Sequence, residues 1–149
     1  MHNQISTILS FKIRENVFAV DALHVIHILE VPDEITKIPN TSNFMKGVIN
    51  HHGNIIPVAD MRIIMEEEVK ENSKENAIII INPEYAPEVR FGIYVDMISE
   101  VIEIKPDDLR ETVLDSKRGM IDTYIGTIFH KGTFIHIIDI MHLSEIIDK

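Results

Sequence analysis

The sequence predicts a mainly β protein made of two similar units, each a small closed barrel of about five short strands followed by a short helix. Three observations predict this fold class. One stretch of sequence recurs later in the chain, 29 of the 149 residues are isoleucine, and short segments of alternating polarity are separated by turn-forming residues. Branched side chains favour pleated strands, and closure removes strand edges that would otherwise aggregate.

The repeat is the clearest of these signals. Residues 47–61 (GVINHHGNIIPVADM) align with residues 126–140 (GTIFHKGTFIHIIDI) at an offset of 79, and six of the fifteen positions are identical. A looser pair precedes it, in which FAVDALHVIHI (18–28) resembles GIYVDMISEVIEI (92–104). Self-similarity at one long period indicates a duplicated structural unit.

The first copy contains a series of predicted strands. Residues 5–13 alternate between apolar and polar side chains, and residues 17–20 return as the second arm of a hairpin. Residues 25–31 form a third strand that ends at a proline, and residues 45–51 and 54–59 pair around a glycine turn. Asp60 then fits the N-cap of a short helix over residues 61–65.

The second copy follows the same plan after residues 66–76, an acidic stretch with few apolar side chains that we interpret as an exposed linker. Its predicted strands are residues 78–81, 90–95, 99–104, 123–129 and 133–138. Asp139 repeats the N-cap role before an amphipathic C-terminal helix over residues 140–147.

These elements predict one domain over residues 1–149 with two barrel subdomains. The first subdomain covers about residues 14–75 and the second covers residues 76–149, while the N-terminal strand 5–13 joins either one.

Composition excludes several classes of function. The net charge is −10, whereas proteins that bind nucleic acid or anionic membranes need a basic face. No apolar run approaches the length of a membrane helix, and the N-terminus lacks a signal sequence. Cysteine is absent, which fits a reducing compartment, so we expect a cytoplasmic protein without membrane insertion.

Four stretches together resemble the CheW family of chemotaxis adaptors. They are FAVDALHVIHI, then ITKIPNTSNFMKGVINHHGNIIPVADMR, then FGIYVDMISEVIEI, and finally YIGTIFHKGTFIHIIDIMHL. The resemblance implies two SH3-like five-stranded barrels and no enzymatic activity or cofactor. It also implies two partners: the regulatory domain of the histidine kinase CheA, and the cytoplasmic tip of a chemoreceptor, whose helical hairpin fits a groove between the barrels.

One departure from the family pattern concerns charge. The family usually reads Asn-Leu-Arg-Gly where this chain has Asn50-His51-His52-Gly53, and it commonly carries a glutamate at the position of His27. A histidine is mostly neutral at pH 7, whereas arginine is permanently charged. The resemblance therefore predicts a partner-binding surface that is altered in this chain. Its expected residues are Ile26, His27, Ile28, Val48, Asn50, His52, Gly53 and Val95.

Two other interpretations remain open. The first is a metal- or small-ligand-binding module that uses His27, His51 and His52. It is weakened because neighbouring residues of a strand point to opposite faces and because the spacing supplies no further ligand. The second is an enzyme that uses the recurrent aspartates Asp21, Asp60, Asp96 and Asp139. Their positions at element ends favour capping instead, and no catalytic motif accompanies them.

Overall fold

A computed structural model describes the chain over residues 5–69, 73–83, 89–112 and 119–148. Within these ranges the strands are β1 (Thr7–Ile13), β2 (Asn16–Asp21), β3 (Val25–Glu30), β4 (Met45–His51), β5 (Asn54–Asp60), β6 (Ala77–Ile81), β7 (Phe91–Val95), β8 (Met97–Glu103), β9 (Tyr124–His130) and β10 (Thr133–Ile138). The α-helices of the described residues are α1 (Met61–Ile64) and α2 (Ile140–Ile147), and 3-10 turns lie at Ala22–His24 and Pro106–Asp108.

The strands form two five-stranded sheets, which confirms the mainly β prediction. Sheet one has the order β8-β1-β2-β10-β9, and sheet two has the order β3-β6-β7-β5-β4. Within the described ranges no ladder joins the first and last strands of either sheet, so closure by a complete ring of backbone hydrogen bonds was a wrong expectation. Side chains bring the two edges of each sheet together instead, as described below.

The two sheets do not coincide with the predicted ranges 14–75 and 76–149. Strand β2 lies in sheet one beside β10, whereas β6 and β7 lie in sheet two beside β3 and β5. The chain crosses to the other sheet directly after each copy's first hairpin, once through the turn Ala22–His24 and once through Asp96. Each sheet therefore combines the first hairpin of one copy with three strands of the other.

This exchange also changes the role of two other segments. The N-terminal strand β1 pairs with β2 and β8, and so belongs to sheet one. The acidic stretch 66–76, of which residues 70–72 lie outside the described ranges, connects α1 to β6 within sheet two rather than joining the two subdomains.

The repeated sequence forms the same hairpin and helix twice. In β4–β5 Ile49 pairs with Ile56, and in β9–β10 Ile128 pairs with Ile135. Asp60 accepts a hydrogen bond from the N–H of Arg62 at 3.0 Å, and Asp139 accepts one from the N–H of Met141 at 2.9 Å. Both predicted N-caps are confirmed, as is the C-terminal helix.

Apolar side chains pack in three cores, which explains the isoleucine content. One lies inside sheet one and contains Ile8, Ala19, Ile102, Ile104, Ile128, Ile135 and Ile137. The second lies inside sheet two and contains Ile49, Ile56, Val58, Ile78, Ile80 and Tyr94. A larger third core joins residues from both sheets and both helices, including Phe11, Phe18, Ile79, Ile93 and Leu143.

A buried ionic network fixes the helix α1 against both sheets. The Arg62 side chain is 1% exposed and donates to both carboxylate oxygens of Asp60, at 2.9 and 2.8 Å. Its Nη1 lies 3.5 Å from Asp96 Oδ1, and Asp96 also accepts a hydrogen bond from the backbone N–H of Arg14 at 2.6 Å. Arg14 follows β1, so this network connects sheet one to sheet two.

Candidate partner-binding surface

The edge strand β3 exposes two isoleucines beside a histidine. His27 pairs with Ile80, which belongs to the core inside sheet two, whereas Ile28 pairs with Ile79 of the core between the sheets. Directly opposed residues of paired strands share a face. His27 therefore lies at the inner rim of sheet two, and Ile28 lies on its outer face. Ile26 and Ile28 are 42% and 41% exposed, so both are accessible along this strand.

The turn between β4 and β5 places the other predicted residues. His52 and Gly53 have φ values of 52° and 83°, the left-handed backbone that a two-residue hairpin turn requires. The Oδ1 atom of Asn50 accepts a hydrogen bond from the N–H of Gly53 at 3.0 Å. All three residues are exposed, and Val48 is half-buried. Asn50 and Gly53 thus stabilise the turn that presents His52.

Val95 does not belong to this surface, which corrects the prediction. Its side chain is 0% exposed and lies in the core between the sheets, where β7 is the central strand of sheet two. A partner cannot contact it without unfolding the protein. The sequence signals that β7 is a strand, but they do not show that strands cover both of its edges.

Other exposed apolar residues lie on the same strands and were missed. Ile55 is 66% exposed and pairs with Asn50 across the hairpin. Its neighbour Ile56 is fully buried, as the alternation of a strand requires, so the sequence could have indicated which of the two faces outward. The repeat places Phe129 and Phe134 at the corresponding sites, where both are exposed and their ring centroids lie 4.9 Å apart.

His27, His51 and His52 lie together, and we call them the histidine cluster. The ring centroids of His27 and His51 are 5.1 Å apart, and those of His51 and His52 are 4.2 Å apart in an edge-on arrangement. The left-handed backbone of His52 brings its ring against that of His51, although strand alternation predicts opposite faces. Because β3 and β4 are the two edges of sheet two, this contact draws the sheet into an almost closed barrel.

The described charged groups that act on His51 are all basic. Partial burial lowers the pKa of His51 below the usual 6.5, and the neighbouring charges of His52, His27 and Arg90 lower it further. In the part of the chain that the structure describes, no three His, Cys, Asp or Glu side chains are placed to hold a metal ion. The contact among the three rings therefore does not by itself create a metal site.

The four recurrent aspartates do not converge on one site, as the enzyme interpretation requires. Asp60 and Asp96 both approach Arg62, but that guanidinium neutralises them in a buried network. Asp21 and Asp139 accept hydrogen bonds from N–H groups at the starts of their helical turns. All four carboxylates thus have structural partners.

Comparison with known proteins identifies the scaffold. The profile of the CheW-like domain family matches residues 7–147, nearly the whole chain. The protein belongs to this family. The two sheets described above are therefore the two subdomains of a CheW-like domain, and the histidine cluster lies at the edge of one of them.

Several relatives carry the name chemotaxis protein CheW. The protein from Thermotoga maritima is 31% identical over 138 residues, which cover 93% of this chain and 87% of that protein. The one from Klebsiella aerogenes is 30% identical over 102 residues, which cover 68% of this chain and 59% of that protein. The relative from Helicobacter pylori is 24% identical, and the match covers 72% of this chain and 63% of that protein.

A solved structure agrees with this assignment. The scaffolding protein TtCheW from Thermoanaerobacter tengcongensis superposes with a TM-score of 0.79 at 28% identity, covering 93% of this chain and 86% of that one. Among the described residues of the CheW-like domain, no helix is long and apolar enough to cross a membrane.

Proposed function

We propose that this CheW-like protein is a non-enzymatic adaptor of chemotaxis signalling in the cytoplasm. In this proposal it holds the regulatory domain of the histidine kinase CheA and the cytoplasmic tip of a chemoreceptor in one assembly. The match over residues 7–147 carries the proposal, because relatives that share the whole fold are named as chemotaxis and scaffolding proteins.

The exposed face of sheet two supports a docking role. Ile26 and Ile28 on β3 and Ile55 on β5 leave large apolar side chains in solvent, which costs free energy unless a partner covers them. A helical hairpin can bury such residues, since amphipathic helices dock their apolar face on exposed apolar surfaces. We place the receptor tip on this face, beside the histidine cluster.

Direct binding tests the proposal. The full chain is titrated by calorimetry with the regulatory domain of the kinase from the same organism, and separately with a soluble fragment of the receptor tip. We expect dissociation constants of about 10 μM or tighter, a range typical of signalling contacts of modest area. Absence of heat with both partners at several times that concentration would contradict the adaptor role.

A pair of matched variants tests the surface. Replacing Ile26 and Ile28 with aspartate should weaken receptor binding at least tenfold, because the partner would have to cover two charges. Val101→Asp is the control, since Val101 is also exposed (67%) on an edge strand, but in sheet one. Equal losses in both variants would argue against sheet two as the docking face.

A further inference from the structure

In each sheet the two edge strands meet at the same repeated position, but different side chains make the contact. His130 in sheet one occupies the place of His51 in sheet two, and Lys131 occupies the place of His52. In sheet one, the carboxylate of Glu100 lies 3.1 Å from Lys131 Nζ and 3.4 Å from His130 Nε2. Glu100 comes from β8, the opposite edge strand, so the chain itself supplies an acid to this basic pair.

Sheet two has the same basic positions, but no acid takes the corresponding place among the residues that the structure describes. His27, from the opposite edge strand β3, meets His51 where Glu100 meets His130. Among the described residues, the rings of His27 from β3 and His52 from the hairpin turn lie against His51, and the charge of Arg90, before β7, also acts on it; all three are bases. Within the described residues, none of these four side chains has an ion pair with a carboxylate. Protonation of the cluster thus builds up positive charge that the described part of the chain leaves unbalanced.

We propose that the histidine cluster is a docking site for a carboxylate that the receptor tip supplies. The inference rests on the proposed function, because the receptor is the partner placed on the adjacent isoleucines. An Asp or Glu side chain of the partner would stand where Glu100 stands in sheet one, accepting hydrogen bonds from protonated imidazoles. Charge-assisted hydrogen bonds of this kind are stronger than neutral ones.

The location of the cluster favours such a contact over simple solvation. His27 and His52 are exposed, whereas His51 is half-buried at the rim of an apolar core. His27 lies between Ile26 and Ile28 on the edge strand β3, and all three side chains are exposed, so a partner that covers this strand edge lies next to His27 as well. Removing water strengthens an ion pair if the geometry is good, and penalises an unpaired charge. The receptor's affinity should therefore depend on the protonation of the cluster.

The experiment is a calorimetric titration of the full chain with the receptor-tip fragment at pH 6.0 and pH 8.0. We expect binding about fivefold tighter at pH 6.0, since a protonated imidazole pairs with a carboxylate and a neutral one does not. His27→Glu supplies the acid from within the chain, as Glu100 does. In this variant the ratio of the two dissociation constants should fall to about one.

Two further variants test whether a change in binding comes from misfolding of the protein. His52→Asn introduces a residue that tolerates the left-handed turn. It should reduce the ratio of the dissociation constants at pH 8.0 and pH 6.0 without removing binding at pH 8.0. His130→Gln, at the equivalent position of sheet one, should leave the ratio unchanged. In His27→Glu, the imidazole resonances of His51 should also titrate at higher pH than in the parent protein, which NMR detects in the free protein.

The outcomes separate the two proposals. Receptor binding of equal strength at both pH values, or an unchanged pH ratio in His27→Glu, would overturn the carboxylate site and leave the adaptor role intact. A pH effect that appears only with the kinase domain would overturn its assignment to the receptor. Failure of the receptor tip to bind at either pH would instead contradict the placement of the receptor under the proposed function.

Discussion

The two hairpin tips of this protein share a backbone and differ in charge. His52 and Lys131 both have φ near 50°, and the glycines that follow them have φ values of 83° and 80°. Sheet one joins its edges through Glu100 and a basic pair, whereas sheet two joins them through contacts among imidazoles. The duplicated turn thus preserves geometry, and a side chain on the opposite edge strand decides whether the charge is balanced within the chain.

The largest effect should come from separating the two copies. A fragment of residues 1–69 retains only the hairpins β1–β2 and β4–β5 among the observed strand pairs, because every other pairing of its strands uses the second copy. Two-stranded hairpins are marginal in water. We expect no cooperative unfolding transition for this fragment by circular dichroism. Mixing it with residues 70–149 should restore the native spectrum, and a stable fold of the first fragment alone would contradict the interleaved topology.

The next largest effect concerns the helix caps. Arg62 and Met141 occupy the same repeat position, but only Arg62 is buried against its capping aspartate. Arg62→Met leaves the Asp60 carboxylate buried without its main partner, so we expect a loss of about 3–5 kcal/mol in the free energy of unfolding. Met141→Ala, at the half-exposed equivalent, should change it by less than about 0.5 kcal/mol. Urea denaturation of both variants measures the difference.

A smaller effect should appear as pH dependence of sheet two. The pKa of His51 is lowered in the folded protein, so the unfolded chain binds the proton more readily. Stability from this group is complete above pH 6.5 and declines as the pH falls from 6.5 through the lowered pKa. We expect His51→Gln to lose less stability than the parent protein between pH 7.5 and about pH 5.5 in thermal melts. An identical pH profile for the two proteins would show that His51 does not contribute to the pH dependence of stability.

The smallest effect should come from Glu100. The hydrogen bond from Lys131 lowers the pKa of this carboxyl, so its contribution to stability is present above its unfolded pKa of 4.5 and is lost as the pH falls through the lowered value. The pair lies at the surface, where solvent and salt screen it. Glu100→Gln should therefore shift the urea midpoint only slightly at neutral pH, and not at all in 1 M salt. A large shift would mean that this contact, rather than the cores, holds sheet one together.

Local features were predictable from the sequence, and pairing between distant segments was not. Periodicity and turn residues placed β4, β5 and β10 and both N-caps, because these depend on neighbouring residues. The crossing of the chain at Ala22–His24 and at Asp96 leaves no local signal, so the two sheets do not follow the predicted subdomain ranges. The burial of Val95 has the same origin, since it depends on strands that pair from elsewhere.

The surface residues followed a similar rule. Asn50 and His52 are exposed at a hairpin turn that the sequence predicts, whereas Ile26 and Ile28 are exposed on β3, whose place at the edge of sheet two the sequence does not show. The contact between His27 and His51 depends on the curvature that brings β3 to β4, and the sequence does not specify it. Ile55 was missed, although strand alternation next to the repeated Ile56 indicates that it faces outward.

The passage between the sheets has a mechanical consequence. Only Asp96 lies between β7 and β8, and the Arg62 guanidinium and the backbone of Arg14 hold its carboxylate. A one-residue connection held by these contacts leaves the two sheets little freedom to move relative to each other. Two proteins bound to opposite sheets would therefore keep a constant distance and angle to each other.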